Sequence, residues 1–317
     1  MKKLLKILFF IILCLGVFLF SCLAGSKVAQ LQIANEQYSY LKVKWDDSVG
    51  SIVSNIPYSK GSHNNYDLYL PADKSKKNYS LIMYIHGGGF TAGDKTDGEP
   101  ISKYFASKGY VVASVNYTLQ DGEEISNLNV MYNELKTALD SINSKTKELA
   151  YPISEMATTG ESAGGCLAML FAFRYGTSSP IPIKFVFEQS GPTSFKPELW
   201  ASTTDKNKVD FVNKMAGKEF TLKQLGSKEY QKAIQEISPV SFITKNTIPL
   251  LLAYGPKDKI VPSQLKIPLL ETLDKYKVSY DYIEFPNSGH GLLNDPDKLQ
   301  EYYEKMDEYT HKYFENH

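Results

Sequence analysis

Continuous apolar runs alternate along most of the chain with segments whose apolar residues recur every three or four positions. Short continuous runs are typical of strands buried on both faces, and the wider spacing is typical of amphipathic helices. The predicted strands are 66–71, 79–85, 110–115, 153–159, 184–189, 248–254 and 279–285, with a further edge strand at 51–58. Because strand and helix follow each other regularly, we predict an α/β fold with a mostly parallel central sheet flanked by helices.

The predicted helices lie between these strands, except where the alternation is interrupted. They cover 101–108, 125–142, a segment from residue 166, 262–276, and a last helix with Asp295 as N-cap and Pro296 in its first turn. Residues from about 191 to 246 are polar and rich in lysine, without a clear buried strand. We interpret them as a small helical cap insertion above the carboxyl ends of the strands. The alternative is a solvated surface excursion away from any site.

The first 25 residues have the pattern of a signal peptide or membrane anchor, with a basic start and an almost unbroken apolar run from 7 to 23. Three outcomes are open. Cys22 lies in a lipoprotein-type cleavage box and would be lipidated; cleavage after Ala24 would release a soluble protein; the run, about 17 residues long, is also long enough to stay as an anchor. We favour lipidation. All three place the domain outside the cytoplasm, and in the two anchored outcomes it contacts the membrane only through this segment.

Composition limits what the rest of the chain can bind. We predict a tether at 26–47 and one domain at 48–317, long enough to bury a single large core. The formal net charge is zero and no basic block is present, which argues against a nucleic-acid partner. Arg174 is the single arginine, so an arginine clamp for phosphate is disfavoured. No spaced cluster of His, Cys or carboxylates indicates a metal site, and we expect no cofactor.

The sequence Gly160-Glu161-Ser162-Ala163-Gly164 lies between a predicted strand and a predicted helix. A Gly-x-Ser-x-Gly pattern in that position is typical of a sharp turn that exposes a serine, because larger flanking side chains would collide with the neighbouring elements. The following helix directs its positive N-terminus at the point where an oxyanion would form. Since the five-residue pattern also arises by chance in loops, Ser162 needs partners elsewhere in the chain.

A serine hydroxyl needs a base before it can act as a nucleophile, and histidine is the usual one. Of the five histidines, His290 lies in a glycine-flanked loop directly after the last predicted strand. Such a loop faces the crevice at the carboxyl ends of parallel strands, where the serine turn also lies. His63 lies in a turn, His86 precedes a glycine run, and His311 and His317 lie on or beyond the last helix. We therefore predict His290 as the base.

The histidine in turn needs a carboxylate that fixes its tautomer and stabilises the imidazolium. Asp258 follows a fully apolar strand and again lies at its carboxyl end. Asp281 and Glu284 are weaker candidates because they lie within a strand, and we assign Asp295 to capping the last helix. The alternative role of Asp258 is that of a turn former beside proline and glycine. We predict Asp258 as the third member of the triad.

The segment His86-Gly87-Gly88-Gly89-Phe90 directly follows a predicted strand. Consecutive glycines allow backbone N–H groups to converge on one point, such as the oxygen that becomes negative in acyl transfer. A phosphate cradle is the alternative, but no Gly-Lys-Ser/Thr follows the run. The chain order of the triad, Ser162 then Asp258 then His290, is the order found in α/β-hydrolases rather than in trypsin-like or subtilisin-like enzymes.

These motifs together resemble the α/β-hydrolase superfamily, close to carboxylesterases of the hormone-sensitive-lipase type and to polysaccharide-deacetylating and feruloyl esterases. The resemblance spans roughly residues 50 to 315 and is carried by the segments 67–71, 86–90, 93–95, 160–165 and 287–291. It implies that the oxyanion is bound by the backbone amides of Gly88, Gly89 and Ala163. The insertion matches no such pattern.

The predicted function is that of a serine carboxylesterase that forms an acyl-enzyme and needs no cofactor or metal. The predicted substrate is a small-molecule or carbohydrate ester with a short acyl group, such as an acetyl ester, because the cap is modest and no long apolar lid is present. An exopeptidase or amidase using the same triad is the alternative, although no propeller-sized N-terminal domain is present to select peptides. A non-catalytic anchored binding module is a further alternative, but no member of the triad is missing.

Overall fold

The computed structural model describes residues 39–120, 126–200 and 204–315. The chain divides into a unit Met1–Tyr40, nearly all of which lies outside the described residues, and a unit Leu41–His317, which carries the fold. The predicted leader with Cys22 and most of the predicted tether therefore lie outside the described residues. Within the described ranges, no helix combines the length and apolar character needed to cross a bilayer.

The described residues contain one sheet of eight strands in the order β1-β2-β4-β3-β5-β6-β7-β8. Strand β2 runs antiparallel to both of its neighbours, and the pairs from β4 to β8 are all parallel. This sheet confirms the mostly parallel α/β architecture predicted from the alternation of apolar runs. The strands are β1 Gly50–Pro57, β2 Asn65–Pro71, β3 Tyr79–Ile85, β4 Val111–Val115, β5 Ile153–Glu161, β6 Ile183–Gln189, β7 Leu250–Tyr254 and β8 Tyr280–Glu284.

Helices cover both faces of the sheet, which explains the continuous apolar runs in the central strands. In β6, Val186 belongs to the core that includes the helix following β5, whereas Phe187 packs against Phe105 and Tyr309 of two other helices. Because successive side chains of a strand point to opposite faces, these neighbours identify the two layers. The helices are α1 Glu99–Ser107, α2 Leu128–Glu148, α3 Ala163–Tyr175, α4 Asp205–Ala216, α5 Lys228–Ile237, α6 Lys266–Tyr276 and α7 Pro296–Tyr313.

Helix boundaries differ from the predicted ones where capping side chains decide them. Helix α2 begins at Leu128 rather than at 125, because the Asn127 side chain accepts hydrogen bonds from the amides of Asn129 and Val130. Helix α6 begins at Lys266 rather than at 262, since Ser263–Leu265 forms a separate 3-10 turn. Apolar periodicity locates a helix but not its first residue.

The predicted insertion at about 191–246 contains helices α4 and α5 and three short 3-10 turns in the part that the structure describes. It packs against α2 and α3, and part of it contacts loops at the carboxyl edge of the sheet. Phe195 lies beside Phe90, with 6.2 Å between ring centroids, and the Gln264 side chain donates to the Leu199 carbonyl at 2.8 Å. The insertion therefore touches both the loop after β3 and the segment after β7.

Strand β1 forms the outer edge beside β2 and is not regular. Its pairing register with β2 shifts between Val53 and Ile56, and Asn55 has a φ of +57°. An extra residue of this kind, a β-bulge, bends the strand and redirects a side chain. Here the bulge places the exposed Asn55 over the buried Asp67 of β2, and the Asn55 backbone amide donates to the Asp67 carboxylate at 2.7 Å.

Candidate active site

Ser162 lies at the sharp turn between β5 and α3, as predicted. Its φ of +55° is in the left-handed region, which residues with a side chain rarely adopt. The two flanking glycines make this turn possible: a Cβ at Gly164 would lie 1.9 Å from the Ile85 carbonyl oxygen, and a Cβ at Gly160 would lie 2.5 Å from it. The close approach of the neighbouring strand therefore explains the glycine requirement that the motif suggested.

The three predicted triad side chains lie in a hydrogen-bonded series. His290 Nε2 is 2.8 Å from Ser162 Oγ, and His290 Nδ1 is 2.7 Å from Asp258 Oδ2. The Asp258 side chain is 2% exposed and that of His290 is 21% exposed, so the carboxylate lies inside while the imidazole borders the solvent. Such a series allows a hydroxyl proton to pass to the imidazole, with the carboxylate holding the ring in position.

Two backbone amides fix the Asp258 carboxylate. Its Oδ1 accepts from the amides of Ile260 and Val261, at 2.8 and 2.9 Å, while Oδ2 remains for the histidine. The turn-forming role considered as the alternative is therefore present together with the histidine contact. One oxygen shapes the turn, and the other faces His290.

The loop that carries His290 is held by the side chain of Asp295, which is the N-cap residue of α7 as predicted. Asp295 stands at the N-cap position of α7, but its side chain makes no capping hydrogen bond. Instead its carboxylate accepts from the Asn287 amide and side chain and from Ser288 Oγ, at 2.6 to 3.2 Å. Burial opposes ionisation of Asp295, but these hydrogen bonds outweigh it and hold its pKa below the usual range.

The glycine run after β3 forms a tight loop beside the serine. Gly88 and Gly89 have φ values of +102° and +62°, and the Gly88 carbonyl accepts from the amides of Thr91 and Ala92. Within the described ranges, the amides of Gly88, Gly89 and Ala163 have no protein acceptor. The three amides named as oxyanion donors are therefore available to a ligand.

His86, the histidine of the glycine run, supports the loop. It is 1% exposed, stacks on Tyr117 with 4.3 Å between ring centroids, and its Nδ1 lies 2.8 Å from the Gly87 carbonyl. Burial lowers its pKa, so the ring is neutral at neutral pH. This placement agrees with the choice of His290 rather than His86 as the base.

Glu188 is a buried carboxyl group that the sequence did not single out. It lies in β6, paired with Gly160 of β5 directly before the serine turn, and is wholly buried. Its Oε2 accepts from the Gly191 amide at 2.8 Å, whereas Oε1 has no partner among the described residues. Burial raises the pKa of Glu188 to about 8, so the group is a neutral acid at neutral pH. In the sequence it is one polar residue in a strand.

Several solved structures with a similar fold are described as esterases. Esterase B from Lactobacillus rhamnosis has a TM-score of 0.67 at 18% identity, covering 91% of this chain and 96% of its own. A truncated carbohydrate esterase from gut microbiota also has a TM-score of 0.67, at 20% identity, covering 85% of this chain and 99% of its own. At these identities the likeness shows the fold, which is the predicted α/β-hydrolase fold.

This chain aligns with only part of the length of its curated relatives. Esterase LipC of Mycobacterium tuberculosis is 21% identical over 235 residues, which are 71% of this chain and 56% of LipC. Acylamino-acid-releasing enzyme 1 of rice, Oryza sativa subsp. japonica, is 25% identical over 82% of this chain and 33% of its own length. Kynurenine formamidase of Salmo salar is 29% identical over 46% of this chain and 47% of its own. The chain thus spans between a third and somewhat over half of these relatives.

The BD-FAE family matches residues 66–273 of this chain. The matched region covers more than half of the sequence and extends from β2 to α6. It includes the glycine run, the serine turn and Asp258, and ends before the His290 loop. The chain belongs to the BD-FAE family.

Proposed function

We propose that the protein is a serine hydrolase that cleaves short-acyl carboxylic esters through an acyl-enzyme. The observation that carries the proposal is the series from Ser162 Oγ through His290 to Asp258, with contacts of 2.8 and 2.7 Å. Membership of the BD-FAE family and the esterase descriptions of its relatives support it.

The mechanism follows from the placement of these groups. His290 takes the Ser162 proton as the hydroxyl oxygen attacks the ester carbonyl carbon, and Asp258 stabilises the imidazolium that forms. The amides of Gly88, Gly89 and Ala163 donate to the oxyanion of the tetrahedral intermediate. The imidazolium then protonates the leaving alcohol. Water, activated by the same imidazole, attacks the acyl-enzyme and releases the carboxylic acid.

Replacing Ser162 tests the proposal directly. Ser162→Ala removes the nucleophile, and the expected result is a loss of turnover on the order of 10⁶-fold, with the thermal midpoint kept or raised because alanine retains the turn without the hydroxyl. Turnover is measured with p-nitrophenyl acetate, and labelling by a fluorophosphonate reports the nucleophile. Ser144→Ala, at an exposed serine of α2, is the matched control and should remain active. Retention of activity by Ser162→Ala contradicts the proposal.

A short acyl group on a carbohydrate or another alcohol is the substrate class that we propose. The insertion is small and aromatic at its contact with the glycine loop, and one similar structure is described as a carbohydrate esterase. Another similar esterase, Est2 of Thermogutta terrifontis, is described with propionate and with butyrate bound. The test is a series of p-nitrophenyl esters of increasing acyl length, run beside acetylated sugars. A maximum at long chains contradicts the proposal.

Cleavage of an amide is the second candidate. The names of two relatives, an acylamino-acid-releasing enzyme and a kynurenine formamidase, favour it. An aminoacyl anilide and a formanilide, assayed beside the esters, separate the two functions. Hydrolysis of an anilide with no hydrolysis of any ester would reverse the order in which we place them.

We further propose that the protein is exported and held at the membrane through a lipid on Cys22. The support is the apolar run and cleavage box of the first 25 residues. The expected result is that the protein fractionates with membranes and that Cys22→Ala releases it or stops its processing. A protein that stays in the soluble cytoplasmic fraction contradicts this proposal.

A further inference from the structure

The segment from His86 to Lys95, here called the oxyanion arch, carries two of the three proposed oxyanion donors. It leaves the sheet at the end of β3 and ends at Lys95, which begins a short 3-10 turn before α1. A Cβ on Gly93 would lie 2.5 Å from both His86 Nδ1 and the Gly87 carbonyl oxygen, so the second half of the arch packs directly on the first. The end of the arch beside Lys95 therefore packs against the residues that directly precede Gly88 and Gly89.

Lys95 forms a buried ion pair with Asp67 of β2. Its Nζ lies 3.1 Å from Asp67 Oδ1, and the two side chains are only 6% and 7% exposed. Asn55, at the bulge of β1, completes the group because its side-chain oxygen accepts from Lys95 Nζ at 2.6 Å and its amide donates to Asp67. The end of the arch is thus held by β1 and β2, the two strands at one edge of the sheet.

The backbone of Lys95 is held as firmly as its side chain. Its amide donates to Asn116 Oδ1, and its carbonyl accepts from Ser114 Oγ, each at 2.6 Å. Asn116 Nδ2 also donates to Asp94 Oδ2 at 2.8 Å. The backbone amide and carbonyl of Lys95 are therefore fixed to the end of β4, and its ammonium group contacts Asp67 of β2.

We propose that the Asp67–Lys95 ion pair positions the oxyanion arch, so that Asp67 and Lys95 act on stabilisation of the transition state without touching the substrate. The inference rests on the proposed function, since it concerns the amides of that site. Misplacement of a preorganised group by about 1 Å costs on the order of 100-fold in rate. Donors that are aimed at the developing oxyanion lose transition-state binding before they lose ground-state binding.

Stability alone gives little reason for an ion pair at this place. Two charges lose most of their hydration when buried, and replacing both partners together by neutral side chains is often neutral or stabilising. Removing one partner strands the other charge and is strongly destabilising. A double variant therefore separates positioning from folding.

The test is the double variant Asp67→Asn/Lys95→Met. It removes both charges and retains an acceptor for the Asn55 amide. We expect a thermal midpoint near that of the wild type, an unchanged KM for p-nitrophenyl acetate, and a kcat lower by roughly 10- to 100-fold. Affinity for an alkyl boronic acid, which places an oxygen at the oxyanion position, should fall by a similar factor. An unchanged kcat and boronate affinity in the folded double variant overturn the inference.

Two controls exclude general loosening of the fold. Leu139→Ala, at a fully buried residue of α2, lowers stability without touching the arch. Lys145→Met/Glu148→Gln removes an ion pair on the outside of α2. Both controls should keep the wild-type kcat and boronate affinity. If Leu139→Ala loses kcat and boronate affinity as the double variant does, the effect is one of stability and the inference is wrong.

A milder variant decides the question should the double variant not fold. Asn55→Ala removes the second acceptor of Lys95 and keeps both charges, so a smaller loss of kcat at constant KM is expected, and none would overturn the inference. Failure of this inference is distinct from failure of the proposed function: in the first case the wild type hydrolyses esters and the variants match it, and in the second the wild type hydrolyses none.

Discussion

Ser162, directly after β5, and Glu188, in the neighbouring strand β6, represent two kinds of residue in and beside this site. The backbone of Ser162 is strained, at a cost on the order of 1–3 kcal/mol, and the glycines that permit this conformation stand within two residues of it in the sequence. Five contiguous residues therefore indicated the turn, and the placement of His290 and Asp258 elsewhere in the chain supported it. Glu188 became buried and half-satisfied only through packing against α3 and the end of β7, contacts that no local pattern contains.

The raised pKa of Glu188 predicts a dependence of stability on pH. Its pKa is about 8 in the folded protein against an ordinary value of 4.5, so between these pH values folding takes up a proton. The contribution of Glu188 to the free energy of unfolding is accordingly largest below about pH 4.5. It falls as the pH rises to about 8, by a total on the order of several kcal/mol. Glu188→Gln should be more stable than the wild type at pH 8 and show little advantage at pH 4, measured by urea unfolding.

The comparison for Glu188 uses an exposed carboxylate. Glu304→Gln, on the solvent side of α7, should leave the stability curve parallel to that of the wild type throughout the pH range. Should Glu188→Gln also give a curve parallel to the wild type from pH 4 to 9, Glu188 does not retain a proton in the folded protein at neutral pH.

At the scale of elements, loops at the carboxyl ends of the strands bring the site together. The sequence predicted where these loops lie but not the contacts that hold one of them. The loops of Ser162, Asp258 and His290 were located because each directly follows a predicted strand. Asp295 was correctly predicted as the N-cap residue of α7, but its side chain does not cap the helix, although Asp before Pro at a helix start is a strong local signal for a cap. The carboxylate instead faces the preceding loop, whose amide and hydroxyl donors lie eight and seven residues away in the sequence.

The Asp295 contacts predict an effect on catalysis from outside the triad. In Asp295→Asn, an NH₂ group replaces one acceptor oxygen and faces donors from Asn287 and Ser288, so the loop that carries His290 loses its fixed geometry. We expect kcat to fall by about tenfold or more while KM changes little. Steady-state kinetics on a p-nitrophenyl ester measure both constants.

Asp297 provides the matched control, because it is an exposed acidic residue in the same first turn of α7. Asp297→Asn changes the charge near the helix start by the same amount and should leave kcat within the error of the wild type. If the two variants lose the same activity, the effect comes from the charge at the helix and not from the loop.

At the scale of the whole molecule, the strand order explains why distant residues meet. Because β5, β6, β7 and β8 are adjacent and parallel, the loops that follow β5, β7 and β8 open at one edge of the sheet. Alternation of apolar runs predicts this arrangement, since a parallel sheet with helical connections leaves few other topologies. It does not predict how the insertion packs, because that packing depends on contacts such as Phe195 with Phe90, far apart in sequence.

The bulge in β1 also affects how the molecule behaves towards copies of itself. An outermost strand with an uninterrupted row of amide and carbonyl groups is a template for intermolecular pairing, and the extra residue at Asn55 breaks that row. Deleting Asn55 would make the edge strand β1 regular. The side chains before position 55 would then move to the opposite face of the sheet. The same deletion would create an uninterrupted strand edge that can pair with another molecule, and it would remove the side-chain oxygen that accepts from Lys95 Nζ. We therefore expect deletion of Asn55 to lower both the solubility of the protein and, through the lost contact with Lys95, its kcat.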